Sequence, residues 1–201
     1  MKQRFENIFK TSNPARDKYI ARLFGLFSEE VVLNWCKHPL ASYENLGRPT
    51  LWVSGKRGST LDFTLRRRTT GEIFVAEMKC WLEFDNYRYL RLVDGTQLQR
   101  IVNQKLVGPA FKEFLQLARD PTIFDVRIGG RPIPNRISGA ILIWGATSDS
   151  GCKEVIADNN FADVLSVEMM LDDLHAWLPI QWTERINELR HWSDELFTYL
   201  V

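Results

Sequence analysis

Asp62, Glu77 and Lys79 are the side chains whose types and spacing point to chemistry. They lie on two runs rich in residues that suit a pleated, half-buried surface, Leu61-Asp62-Phe63-Thr64-Leu65 and Glu72-Ile73-Phe74-Val75-Ala76-Glu77-Met78-Lys79. Between them Arg66-Arg67-Arg68-Thr69-Thr70-Gly71 reads as a basic hairpin turn. Side chains alternate faces along a strand, so Glu77 and Lys79 share one face. With Thr70-Gly71 as the central turn residues, Asp62 faces Lys79 directly and Glu77 is its diagonal neighbour on that face. Two carboxylates with room for phosphate oxygens and water suit a hard, octahedral cation such as Mg²⁺. A lysine beside them can orient or help deprotonate a bound water, or stabilise charge on a phosphoryl group, so the chemistry indicated is metal-assisted phosphodiester hydrolysis. The same residues also fit a solvated strand face on which the acids pair with Lys79 and neighbouring arginines. Against this, the apolar run Ile73 to Ala76 predicts a strand covered on both faces, where a charge needs a reason.

An acid on one strand followed by Glu-x-Lys on the next, here Asp62 and Glu77-Met78-Lys79, resembles the PD-(D/E)XK nuclease superfamily. Leu61 stands where that motif often has proline. The resemblance implies an α/β fold with a restriction-endonuclease-like mixed central sheet flanked by helices, in the order helix, three antiparallel strands, helix and further strand. It implies a metal-dependent nuclease acting on DNA, with Asp62 and Glu77 holding Mg²⁺, or Mn²⁺ in its place, and Lys79 assisting the attacking water. It also implies an acid from the first helix, for which Glu30 is the match, and a supporting glutamine on the helix after the motif, for which Gln97 is the match with Gln99 and Gln104 as competitors. A nuclease-like scaffold can also serve as an inactive nucleic-acid-binding or assembly module, and a third reading is an interaction protein with an accidental motif.

The elements that must position these residues are legible to different degrees. Asn13-Pro14 reads as a cap and first helical residue opening a helix to about Lys37, with Ile20, Leu23, Phe24, Phe27, Val31 and Trp35 as its apolar stripe. Glu30 lies beside Leu23, Phe27 and Asn34 near that stripe, whereas Glu29 points away; a solvent-edge glutamate is its plainer reading. Leu51 to Ser54 reads as a first short strand ended by the turn Gly55 to Gly58. Beyond Lys79 the strand is predicted to continue through Cys80 to Phe84. A helix follows from about Gly95, with Gln97 next to Ile101 on its surface, and Gly108-Pro109 divides it from a second half, Ala110 to Arg119. Phe124 to Ile133 around Gly129-Gly130 forms a small basic hairpin. Ser138 to Gly145 is an unbroken apolar strand reached by a crossover. Val164 to Met169 is read as another strand, and Leu171 to Leu200 as a helical C-terminal tail broken at Pro179.

One domain accounts for the whole chain, with a core over about 14–170 and the helical segment over about 171–200. Its 201 residues, 45% hydrophobic and 12% aromatic, can bury a core without disulfides. The three cysteines lack a Cys-x-x-Cys pairing, and the three histidines are scattered. No run is long enough to span a membrane and no signal-peptide pattern opens the chain, which predicts a soluble, cytoplasmic protein without a membrane partner.

The net charge of +1 does not itself announce a nucleic-acid partner, but its distribution is uneven. Lys56, Arg57, Arg66, Arg67, Arg68, Arg88, Arg91, Arg100, Lys105, Arg127, Arg131 and Arg136 crowd the middle of the chain, and acids gather after Glu154. Arg66, Arg67 and Arg68 at the hairpin tip and Arg131 on the Gly-Gly hairpin are the candidate phosphate contacts. Trp52, Trp81 and Tyr87 are candidate stacking residues, although most aromatics here belong to a core. The tryptophan-rich C-terminal helices offer apolar surface for a homodimer, or simply complete the core.

Overall fold

A computed structural model describes residues 13–79, 91–103, 108–133 and 136–200. The fold is α/β: a mixed five-stranded sheet covered on both faces by helices, with a second, four-stranded sheet beside it. The first helix, α1 (Pro14–Lys37), begins where Asn13 Oδ1 accepts the Arg16 N–H at 3.1 Å and Pro14 opens the first turn.

The segment from Tyr43 to Arg67 is one long antiparallel pair bent in the middle. It comprises β1 (Tyr43–Gly47), β2 (Pro49–Val53), β3 (Lys56–Thr60) and β4 (Phe63–Arg67). Ser54 and Gly55 both take positive φ at its tip, the geometry that lets a two-residue turn follow strand twist. At Gly47-Arg48 and Leu61-Asp62 the pair bends, and its halves enter different sheets. The inner half joins β5 (Ile73–Lys79), β9 (Ile137–Trp144) and β11 (Asp163–Ser166) in the order β1-β4-β5-β9-β11, with β5, β9 and β11 parallel. The outer half joins the hairpin of β7 (Asp125–Ile128) and β8 (Arg131–Pro132) in the order β3-β2-β7-β8.

The strand read from Leu51 to Ser54 is therefore β2, a member of the second sheet, and the main sheet takes Tyr43–Gly47 instead. Between β5 and β9 the chain supplies the two-residue β6 (Arg91–Leu92), α2 (Gly95–Asn103) and α3 (Pro109–Arg119), the crossover that a parallel connection requires. Pro109 opens α3, which is why the helical pattern divides there. Residues 80–90 and 104–107, which include the expected extension Cys80 to Phe84 and the candidates Trp81, Tyr87, Arg88, Gln104 and Lys105, lie outside the described residues.

After β9 come β10 (Ala146–Thr147), which pairs with β6, then α4 (Asp149–Asn159), α5 (Val167–Trp177) and α6 (Pro179–Thr198). The expected strand Val164 to Met169 ends at Ser166, because its hydroxyl accepts the Met169 N–H at 3.0 Å and starts α5. Met170, Leu171 and Leu174 of α5 are buried, so the core runs past residue 170, whereas α6 buries only Trp182. Among the described residues no helix is long and apolar enough to cross a membrane.

The alternation along the strands sorts the two layers. Phe63, Leu65, Phe74, Ala76 and Ile141 pack with Val31, Val32 and Trp35 of α1 and with α5. On the other face Ile73, Val75, Leu142 and Trp144 pack with Leu98 of α2, Phe111 and Phe114 of α3 and Val155 of α4. The first turn of α4 approaches β6 so closely that a Cβ on Gly151 would lie 2.3 Å from the Leu92 carbonyl oxygen, whereas one on Gly25 of α1 meets nothing within 4 Å. Urea denaturation is expected to show Gly151→Ala losing about 1–3 kcal/mol by overpacking and Gly25→Ala gaining about 0.5–1 kcal/mol from helix propensity. Equal stability of the two variants contradicts this packing.

Candidate active site

Strand β5 runs three residues past the point where β4 leaves it. The last β4 partner is Phe63, opposite Ala76, so the next residues outward, Asp62 and Glu77, stand across from one another at the bend. The turn closes through Arg67 N–H to Glu72 O at 2.9 Å and Gly71 N–H to Arg67 O at 2.8 Å, which makes Arg68 to Gly71 the loop in place of a tight Thr70-Gly71 turn. The register thus differs from the sequence expectation by two residues, and Asp62 faces Glu77 where Lys79 was expected. A shift by two preserves the faces, so the three side chains still gather on one side.

Each is fixed by a specific contact. With β4 gone, the Met78 N–H donates to Asp62 Oδ2 at 2.9 Å, and the carboxylate takes the place of a strand carbonyl. Arg48, in the link between β1 and β2, reaches Asp62 Oδ1 at 3.4 Å; it was not among the sequence candidates, and the Gly47-Arg48-Pro49 break was the only signal for it. Glu77 is 3% exposed, lying opposite Leu142 of β9. Lys79 Nζ donates to Glu77 Oε1 at 2.5 Å and sits 5.7 Å from the centre of the Phe111 ring.

The electrostatics of Glu77 are those of a carboxylate short of positive charge. Burial pushes its pKa up to about 7; the Lys79 ammonium pulls the other way, and the charge of Asp62 raises it further. Its second oxygen, Oε2, is buried and has no hydrogen-bond partner among the described residues. Two ionised carboxylates only accept, so nothing joins Asp62 to Glu77 unless a proton or a cation lies between them. A divalent ion with oxygen preference fits this donor set: two carboxylates, one with an unused buried oxygen. Among the described residues no trio of His, Cys, Asp or Glu converges, so two carboxylates are what these residues could offer an ion.

The remaining candidates go elsewhere. Glu30 faces the α1 layer, on the side of the sheet opposite Glu77, where Glu30 Oε2 accepts from Arg185 of α6 at 2.9 Å and from Asn34 at 3.2 Å. Gln97 is buried, but its amide staples a loop: Oε1 accepts from Val93 N–H at 2.6 Å and Asp94 N–H at 3.2 Å, and Nε2 donates to Arg91 O at 3.0 Å. Gln99 donates to Asp158 at 3.2 Å.

Arg66, Arg67 and Arg68 stand at the closed end of the hairpin, while the acids occupy its open end; over five residues of strand that is about 16 Å. All three are engaged locally. Arg66 pairs with Glu44, Arg67 binds Glu72 at 2.9 Å and the Tyr43 hydroxyl at 3.1 Å, and Arg68 donates to Cys36 O at 2.9 Å. Arg131 is exposed on β8, opposite Ile128, which in turn pairs with Pro49 next to Arg48. Trp52 is half-buried beneath Arg127, whose guanidinium carbon lies 4.4 Å from its ring centre.

Compared with known proteins, the chain matches no family model, no curated protein and no solved structure at a significant level.

The raised pKa of Glu77 has a consequence for folding. Its folded value of about 7 exceeds the ordinary carboxyl value of 4.5, so its contribution is fully present below about pH 4.5 and is lost as pH rises through about 7. The group accounts for on the order of 3 kcal/mol across that window. Denaturation of wild type and Glu77→Gln between pH 4 and 8, in chelator, is expected to show the variant gaining relative stability as pH rises. A stability difference independent of pH contradicts the buried, charge-starved carboxyl.

Proposed function

We propose that the protein is a metal-dependent nuclease that hydrolyses phosphodiester bonds, most naturally in DNA, at the site formed by Asp62, Glu77 and Lys79. The observation that supports this best is Glu77 lying beside Asp62 with its buried Oε2 unpartnered among the described residues, because a cation would satisfy both carboxylates where otherwise only a shared proton could. The arrangement has the look of a PD-(D/E)XK nuclease site, with an acid at the end of one strand and Glu-x-Lys on its neighbour, in a mixed sheet that resembles the restriction-endonuclease-like core.

In this reading Asp62 and Glu77 hold Mg²⁺ or Mn²⁺, which supplies charge neutralisation at a phosphoryl oxygen and a lowered pKa for water. The chain's own residues do the rest. Asp62 is oriented by the Met78 N–H, which leaves its other oxygen, Oδ1, to Arg48 at 3.4 Å and to an ion. Lys79, now bound to Glu77 Oε1, is placed to donate to an attacking water or to a phosphoryl oxygen as charge develops there. Arg48 is 62% exposed in its side chain and adds a cation at the mouth. Neither Glu30 nor Gln97 has a part.

A second reading keeps the scaffold without turnover. It is favoured by the fact that each acid already has a cationic partner, Arg48 for Asp62 and Lys79 for Glu77. One assay separates the two. Purified protein incubated with duplex and single-stranded DNA is expected to cleave in Mg²⁺ or Mn²⁺ and not in chelator. Asp62→Ala and Lys79→Ala are each expected to lower kcat by about 10²-fold or more while DNA binding in Ca²⁺ is retained. Binding without metal-dependent cleavage supports the scaffold; cleavage undiminished in both variants sinks the nuclease assignment to this site.

Metal binding carries its own pH signature, because a proton on Glu77 competes with the cation. Mn²⁺ affinity measured by calorimetry is expected to rise between pH 5.5 and 7.5 with net proton release, and to lose that pH dependence in Glu77→Gln. Affinity that is flat with pH in the wild type contradicts Glu77 as a ligand.

A further inference from the structure

We infer that the second sheet, β3-β2-β7-β8, is the surface that holds the nucleic-acid backbone beside the site, an inference that rests on the nuclease reading and names where its substrate lies. The charge of this sheet is segregated from that of the rest of the molecule. Residues 48–60 contain Arg48, Lys56 and Arg57 and no acid, and residues 125–133 contain Arg127 and Arg131 with the single acid Asp125. The sheet thus carries a formal +4 in a chain whose total is +1, so the remainder is net acidic. This sheet is the part of the described structure that favours a polyanion.

The cations of this sheet are also the available ones. Lys56, Arg57 and Arg131 are exposed, and among the described residues none forms an ion pair. The hairpin-tip arginines are committed to Glu44, Glu72, Tyr43 and Cys36. Register fixes the surface that the sheet presents. Leu51 and Val126, opposite one another, face the core, so Trp52, its partner Arg57 and the Thr50–Arg127 pair share the outer face. Trp52 seats the Arg127 guanidinium at 4.4 Å, and Asp125 holds it at 2.6 Å, which fixes one planar cation on the face that carries Arg57; Lys56, paired with Val53, and Arg131, paired with Ile128, alternate to the other face of their strands. The neighbouring acid, Glu113 of α3, is turned to the sheet edge, where it accepts the Ser59 N–H at 3.0 Å.

Continuity with the site gives the direction. The sheet begins where the Leu61 N–H donates to Pro49 O at 2.9 Å and Arg48 touches Asp62. From Asp62 back to Arg57 is five residues of extended chain, about 16 Å, a span of a few phosphates. A strand whose scissile phosphate lies at Asp62 and Glu77 therefore runs along Arg48 and over Arg57.

The test is fluorescence anisotropy of the full-length protein with a labelled DNA duplex in Ca²⁺, repeated over a range of salt concentrations. Arg57→Ala is expected to weaken binding severalfold at low salt. It is also expected to flatten the slope of log affinity against log salt by about 1, one lost phosphate contact. Arg66→Ala is expected to leave the slope unchanged. Arg57→Ala is expected to retain kcat in Mg²⁺ with a raised KM, which separates a binding surface from the chemistry. An unchanged slope in Arg57→Ala, with Asp62-dependent cleavage intact, overturns this surface and leaves the nuclease reading standing. Absence of DNA binding in the wild type overturns both.

Discussion

The parting of two strands is the constraint on which this molecule depends. β4 leaves β5 after Phe63 because the long hairpin bends at Gly47-Arg48 and Leu61-Asp62, and β5 continues alone on that side through Glu77, Met78 and Lys79. The bend removes the strand partner that the Met78 N–H would otherwise have, and Asp62 fills the position. On its other side β5 remains paired with β9 as far as Lys79, so Glu77 stays in the buried body of the sheet while its neighbour opens outward. A carboxylate at 3% exposure beside a second carboxylate is the product of that geometry, and so is its elevated pKa. Burial and like charge both disfavour ionisation, and one lysine offsets them only in part.

The same bend connects the site to a second sheet with a different electrostatic character. Arginines in this chain serve two distinct purposes. Those at the hairpin tip lock the sheet edge: Arg67 lies against the Phe74 ring at 4.7 Å while binding Tyr43 and Glu72, and Arg68 reaches back to α1. Arg57 and Arg131 of the second sheet have solvent in front of them. A count of positive residues along the sequence mixes these populations, and only the ion pairs separate them.

Much of the fold was legible because its signals are local. The Asn13-Pro14 start of α1, the division at Gly108-Pro109, the Gly129-Gly130 turn and the apolar run of β9 each follow from the residues that carry them, and all stand where the sequence puts them. The gathering of Asp62, Glu77 and Lys79 on one face was legible too, because strand alternation survives an error of two in register. What failed was non-local. Tyr43–Gly47 has little apolar character and is a strand only because β4 lies beside it. The helical wheel rightly placed Glu30 beside the apolar stripe of α1, but that stripe covers the face of the sheet away from Glu77 and meets Arg185 from α6. Gln97 is buried as a site residue would be, yet its partners are backbone groups that no spacing rule reveals. The hairpin arginines were misplaced for a simpler reason: the tip of a hairpin is the end farthest from its open mouth.

If Asp62 and Glu77 share a divalent cation, as proposed, crystals soaked in Mn²⁺ will reveal it by anomalous diffraction. The expected result is a strong peak within about 2.0–2.3 Å of an oxygen of each carboxylate, with Lys79 still within reach of Glu77. Crystals that take up Mn²⁺ elsewhere while Glu77 keeps a vacant Oε2, or carboxylates directed to opposite faces of the sheet, contradict it.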